Sequence, residues 1–215
     1  MSILIKLLVT AVCFLTLKLI KHLMDIWNMS NILEMPESEM IEPGEYDKQK
    51  IIETRELIKE CFGDKPAETI AKLKNKERIA LYTDFAEKLT KCYELDIETD
   101  VNIYDENTYG CYEWNKKTAQ FNVNILMCDK NDPHFELYVR ESIDTIVHEL
   151  RHAVQHKAIL KRGFWGIPDE VRIVWADNIS RRHYIPPTVN LYGYRSQPIE
   201  KDAFSFAANV MRGVE

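Results

Sequence analysis

Residues 143–156 constrain this chain more than any other stretch. Placed on a helix at 100° per residue, Ile143, Ile146, Val147, Leu150, Ala153 and Val154 gather on one side. His148, Glu149, His152 and His156 gather on the other, with Glu141 and Thr145. One side suits a core and the other a cleft, and the helical pattern runs from about Glu136 through about Ala158.

A chain of 215 residues has room for one domain of ordinary size plus an appendage, and 46% hydrophobic residues suffice to fill a core. Net charge is −6, with basic residues scattered among acidic ones. Such a surface lacks the concentrated positive footprint of a nucleic-acid binder, so no nucleic-acid partner is expected. Five cysteines, odd in number and without a C-x-x-C pair, suit reduced thiols better than a disulfide framework.

Residues 3–27 are mostly Ile, Leu, Val, Phe and Met, and three readings compete for them. A secretory signal peptide needs a small-residue cleavage site, and "TLKLIKHLMD" offers none. A single membrane span is barely long enough, with Lys6 and Lys18 snorkelling to the interfaces. An amphipathic helix on a membrane surface, or against its own domain, is the third reading. If the segment spans, Lys18, Lys21 and His22 outweigh Lys6 and place the C-terminal domain on the cytoplasmic side, the alternative being a soluble cytoplasmic protein.

Residues 28–46 carry Pro36, Pro43, Gly44 and five glutamates and read as an acidic linker, so the folded domain is expected over 47–215. Two helices come next: "KQKIIETRELIKECF", then a longer one opened by Asp64 and Pro66, with Ile70, Leu73, Leu81, Phe85 and Leu89 at three-to-four spacing. Beyond Leu95, "VNIY", "YGCYEW" and "QFNVNIL" predict a small antiparallel meander ending near Cys128, and "DKNDPH" a loop. The expected class is α+β, a small antiparallel sheet packed on the histidine-bearing helix.

On that helix His148 and His152 are one turn apart, so their imidazoles can converge on one ion at about 2.0–2.1 Å, and Glu149 can reach a water molecule there. The arrangement is H-E-x-x-H. A plainer reading is an amphipathic helix whose polar side happens to hold these residues. His156 lies two turns beyond His148, roughly 12 Å along the axis, and is read as a surface or supporting residue rather than a ligand. Gln155 and Ala158 stand where the longer H-E-x-x-H-x-x-G-x-x-H motif has its glycine and last histidine, which removes that subclass.

A catalytic zinc commonly takes three protein ligands, and the third candidate lies in "YRSQPIEKDAFSFAANVM". Pro198 suits a first helical turn, and Phe204, Ala207, Ala208 and Met211 continue at helical spacing, which puts Glu200 at the start of a helix packed on the core. Complementing the helix dipole is the competing role for Glu200 and Asp202.

HELRH with Gln155 three residues on, the preceding "YGCYEW" and "FNVNI" strands, and "QPIEKDAF" resemble the gluzincin side of the zincin-like metallopeptidases, over roughly residues 101–211. The resemblance implies zinc held by His148, His152 and Glu200, Glu149 as general base and later proton donor, and hydrolysis of a peptide or protein substrate. It also implies that "QFNVNIL" is the edge strand along which an extended peptide lies. Asp202 departs from the expected place for a residue orienting His148, a role left to Asp144 or another residue. Tyr192, Tyr194, His183 and Arg195 are candidate donors to a developing oxyanion, Tyr194 slightly preferred. The alternative function is a zincin fold kept as an inactive binding or regulatory module at a membrane.

Overall fold

The computed structural model of the protein describes residues 40–102, 109–122, 128–180 and 183–214. The apolar segment 3–27 lies outside the described residues. Among those that are described, no helix is long and apolar enough to cross a membrane.

Helix α1, Glu45–Phe62, begins two residues ahead of the expected domain start and is stopped by Gly63 at φ 76°. Helices α2, Pro66–Lys72, and α3, Asn75–Cys92, replace the single long helix that periodicity suggests. The apolar spacing is right, but the backbone turns out of the helix at Leu73 and Lys74, with ψ 147° and 160°. Side chains satisfy the groups this frees. Glu77 accepts the Lys74 N–H at 2.7 Å, and buried Arg78 reaches the Ile70 and Leu73 carbonyls at 3.0 and 3.3 Å.

Strands β1, Glu98–Asn102, β2, Gly110–Glu113, and β3, Thr118–Asn122, form one sheet in the order β1-β3-β2. The β2–β3 hairpin is antiparallel as expected, with Glu113 opposite Thr118 and Lys117 at φ 52° in the turn. β1 instead pairs in parallel with β3, from Glu98 opposite Thr118 to Asn102 opposite Asn122, so the sheet is mixed rather than an antiparallel meander. Burial explains the order: β3 brings Ala119 and Phe121 into the core and takes the position paired on both sides. Acidic β1, with Glu98 and Asp100, is left at a margin where charge is tolerated.

Helix α4, Phe135–Leu160, is led in by Asp132, whose carboxylate accepts the His134 N–H at 2.8 Å. Beyond it come a turn at Phe164–Gly166 and helices α5, Asp169–Asn178, α6, Leu191–Ser196, and α7, Pro198–Met211. Arg172 of α5 closes the end of α4 by donating to the Ala158 and Ile159 carbonyls. The four described cysteines are free. The class is α+β, as the sequence suggests, and α4 runs through its middle, packed by α2, α3, α5, α7 and the sheet. Much of the polar side of α4 is therefore enclosed too: His148, Glu149, Arg151, His152 and Gln155 are buried, while Thr145 and His156 are half-buried.

Candidate metal centre

His148 and His152 project from α4 toward the first turn of α7, where Glu200 sits two residues after Pro198. That first turn is fixed from outside the helix, since the Ile199 N–H donates to the buried Asn178 side chain at 3.0 Å. The result is a compact triangle. His148 Nε2 and His152 Nε2 are 3.1 Å apart, and Glu200 Oε2 lies 3.6 and 3.2 Å from them. One tetrahedral face around an ion with ligand bonds of about 2.0–2.1 Å has edges of about 3.3–3.4 Å. The observed sides bracket that value.

Donor chemistry and burial agree with the spacing. Two imidazole nitrogens and one carboxylate oxygen suit a divalent transition metal. Among the described residues no hydrogen bond reaches Glu200 Oε2, which is an expensive state for a buried carboxylate oxygen unless a cation completes it. The three side chains form a buried group that could hold a metal ion.

Charges in the site are strongly coupled. Burial opposes charge on Glu200, but the imidazoles of His152 and His148 outweigh it and hold the carboxyl well below its ordinary range. Burial likewise disfavours a charged His152, and the Glu200 carboxylate overturns this, pushing the imidazole up to about 9. Glu149 beside them is raised by burial, against the lowering effect of both histidines. The nearby backbone N–H of Tyr112 in β2 favours its charged form, a smaller effect. Strand and helix approach closely there because position 110 is glycine: a Cβ would sit 2.9 Å from Thr145 Cγ2 and 3.0 Å from Glu149 Cγ.

The strand beside the site is thus β2, an edge strand, whereas β3, the described part of "QFNVNIL", is central and paired on both sides. This corrects the expectation of β3 as the edge. The reason is that a strand's own residues carry no record of which strands lie beside it.

His156 stands apart from the triangle, as expected: its Nδ1 meets the Tyr112 hydroxyl at 2.9 Å and its ring lies 4.6 Å from that of Trp114. Asp144 does not hold His148, whose Nδ1 has no hydrogen-bond partner among the described residues. Asp202 supports the other histidine through Gln155, which bonds His152 Nδ1 at 2.8 Å. Of the four oxyanion-donor candidates, Tyr194 reaches Glu200 with its hydroxyl. Arg195 packs over Phe204, itself against His148, while Tyr192 and His183 lie at the surface.

Sequence reasoning missed Tyr184, whose hydroxyl donates to Glu200 Oε1 at 3.0 Å. Its loop is pinned by the buried Gln197 amide, which takes the Ile185 N–H at 2.8 Å and gives to the Ile185 carbonyl at 2.9 Å. A tyrosine in "RRHYIPP" carries no period that would have pointed to it. No protein-family model, no curated protein and no solved structure matches this chain.

Proposed function

We propose that the protein is a zinc-dependent metallopeptidase, associated with a membrane through residues 3–27, acting on a peptide or protein substrate. The observation that carries the reading is the triangle of His148 Nε2, His152 Nε2 and Glu200 Oε2 with the Glu149 carboxylate next to it on the same helix. A purely structural metal site has no use for a buried carboxylate held beside it but outside the ligand set.

His148, His152 and Glu200 would hold the zinc, which when bound supplies a Lewis acid for a carbonyl and lowers the pKa of water to around 7. Glu149 takes the proton of the attacking water as its oxygen adds to the scissile carbonyl carbon. It then delivers that proton to the amide nitrogen as the carbon–nitrogen bond breaks. Burial raises the proton affinity of Glu149, against the lowering effect of the histidines and the Tyr112 N–H, and this favours the first transfer. The Tyr184 hydroxyl is committed to Glu200 Oε1, and that of Tyr194 is the donor beside the site suited to negative charge developing on the carbonyl oxygen.

The test uses the full-length chain in mild detergent. Elemental analysis should give about one zinc per chain, much reduced in Glu200→Ala, and an unfolded protein substrate should be cleaved by the wild type. Glu149→Gln should keep the zinc and lose cleavage. Full cleavage by that variant would falsify the mechanism; zinc without cleavage in the wild type would leave a metal-binding module.

A further inference from the structure

Gln155 is fully buried, and its neighbours dictate which way its amide points. Its Nε2 donates to Asp202 Oδ2 at 2.7 Å and to the Ile199 carbonyl at 2.8 Å. Neither acceptor has a proton to give. A carbonyl never does, and both Asp202 oxygens are engaged by Arg151, through Nε at 2.8 Å and Nη2 at 3.0 Å. Reversing the amide would set its oxygen against two acceptors, so Gln155 Oε1 must face His152 Nδ1, 2.8 Å away. An amide oxygen only accepts; His152 Nδ1 therefore carries a proton, which leaves Nε2, facing His148 Nε2 and Glu200 Oε2, as the nitrogen available to a metal ion.

The chain of constraint continues away from the site. Arg151 is completely buried, and beyond Asp202 it is held by Asp47 of α1 at 2.7 and 3.2 Å. A guanidinium has donors only and cannot turn into an acceptor, so each link fixes the polarity of the next. His148, by contrast, has no such partner on Nδ1 among the described residues and is steadied by the Phe204 ring at 4.4 Å.

We propose that Gln155 is a positioning residue that fixes His152 as the Nδ1–H tautomer with Nε2 presented for metal binding, and that Arg151, anchored by Asp47 and Asp202, holds the Gln155 amide in the one orientation that does so. The proposal rests on reading His148, His152 and Glu200 as a metal centre.

Gln155→Met tests it, since the side chain keeps its volume and loses both ends of the amide. Two readouts are independent of catalysis: zinc affinity by competition with a chromophoric chelator, and the slowly exchanging His152 Nδ1–H resonance in imidazole proton–nitrogen spectra of the full-length protein. The variant, with an unchanged circular dichroism spectrum, is expected to lose the resonance and to bind zinc about 10- to 100-fold more weakly. A folded Gln155→Met protein with affinity within about threefold of wild type, below the effect of a working partner, overturns the proposal.

If that variant does not fold, the wild type decides: with zinc bound, the imidazole nitrogen shifts of His152 should show Nδ1 protonated and Nε2 bound to the metal, and the reverse assignment overturns the proposal equally. Absence of zinc from the wild type marks failure of the metal-centre reading instead. The clamp is then decided on metal-free protein: a resonance present in wild type and lost in Gln155→Met supports it, and equal spectra overturn it.

Discussion

Tyr184 and Glu200 divide the work of one carboxylate: the tyrosine hydroxyl occupies Oε1 at 3.0 Å, and Oε2 is left to face His152 and His148. A monodentate carboxylate ligand needs its second oxygen engaged elsewhere, or the group rotates. Tyr184→Phe removes that engagement without changing the ring. Zinc affinity is expected to fall about 10-fold. Chelator competition measures it, and an unchanged affinity would remove Tyr184 from the site.

Whether a residue was legible in the sequence depended on whether its role leaves a period there. The α4 stripe and the His148–His152 pair did, because core burial and ligand convergence both obey helical spacing. Glu200 was reachable because Pro198 marks a helix start and the apolar residues after it keep step. The order of the strands was not, since β1-β3-β2 is set by contacts between strands and not by the residues within any one of them. Nor was the burial of Arg151, which in HELRH looks like one more residue of a wet helix face. Only tertiary structure brings Asp47 from α1 and Asp202 from α7 to it. The Tyr112 N–H near Glu149 is a backbone donor and is silent in any sequence.

Arg151 carries the next prediction. With Asp47 and Asp202 both in place, its charge is paired and hydrogen-bonded, and its guanidinium packs over the Phe206 ring at 4.6 Å. Asp47→Ala leaves that charge buried with one carboxylate, and removing one partner of a buried pair typically costs about 3–5 kcal/mol. Urea unfolding of the variant should show a loss of this order. A loss under about 1 kcal/mol would be the behaviour of a surface pair and would contradict the burial of this one.

Glu141 gives a pH-dependent prediction on the same helix. It is buried, and neither carboxyl oxygen has a hydrogen-bond partner among the described residues. Burial, with a smaller contribution from the Asp144 charge, pushes its pKa up to about 8 from an ordinary 4.5. The folded state thus binds the proton more tightly than the unfolded state. The stability this contributes is fully present below about pH 4.5 and is lost as pH rises through about 8. Glu141→Gln keeps the shape and removes the titration, so it should flatten this part of the profile. The variant should be more stable at pH 9 by a few kcal/mol at most, since each tenfold difference in proton affinity between the folded and unfolded states is worth about 1.4 kcal/mol. Thermal melts of both proteins from pH 5 to 9, with and without zinc, measure it; parallel profiles would mean that water reaches the carboxyl.

A substitution at Gly110 tests the proposed catalytic role of Glu149 apart from metal binding. A methyl group there would meet Thr145 Cγ2 at 2.9 Å, the Gln120 carbonyl at 3.0 Å and Glu149 Cγ at 3.0 Å, all closer than carbon and oxygen atoms settle. Two of these are side-chain atoms on α4, which is held in the centre of the fold, and the third is the backbone of the paired strand, so relief comes from the Glu149 side chain swinging aside or from β2 moving away. Either movement changes the place of the Glu149 carboxylate relative to the Tyr112 N–H. His148, His152 and Glu200 are on α4 and α7 and are untouched. Gly110→Ala should therefore cost about 1–3 kcal/mol of stability through overpacking. It should keep about one zinc per chain and lower kcat with little change in zinc affinity. Loss of zinc in a folded Gly110→Ala protein would show instead that β2 helps to hold the metal ligands, and that the strand and the triangle form one unit.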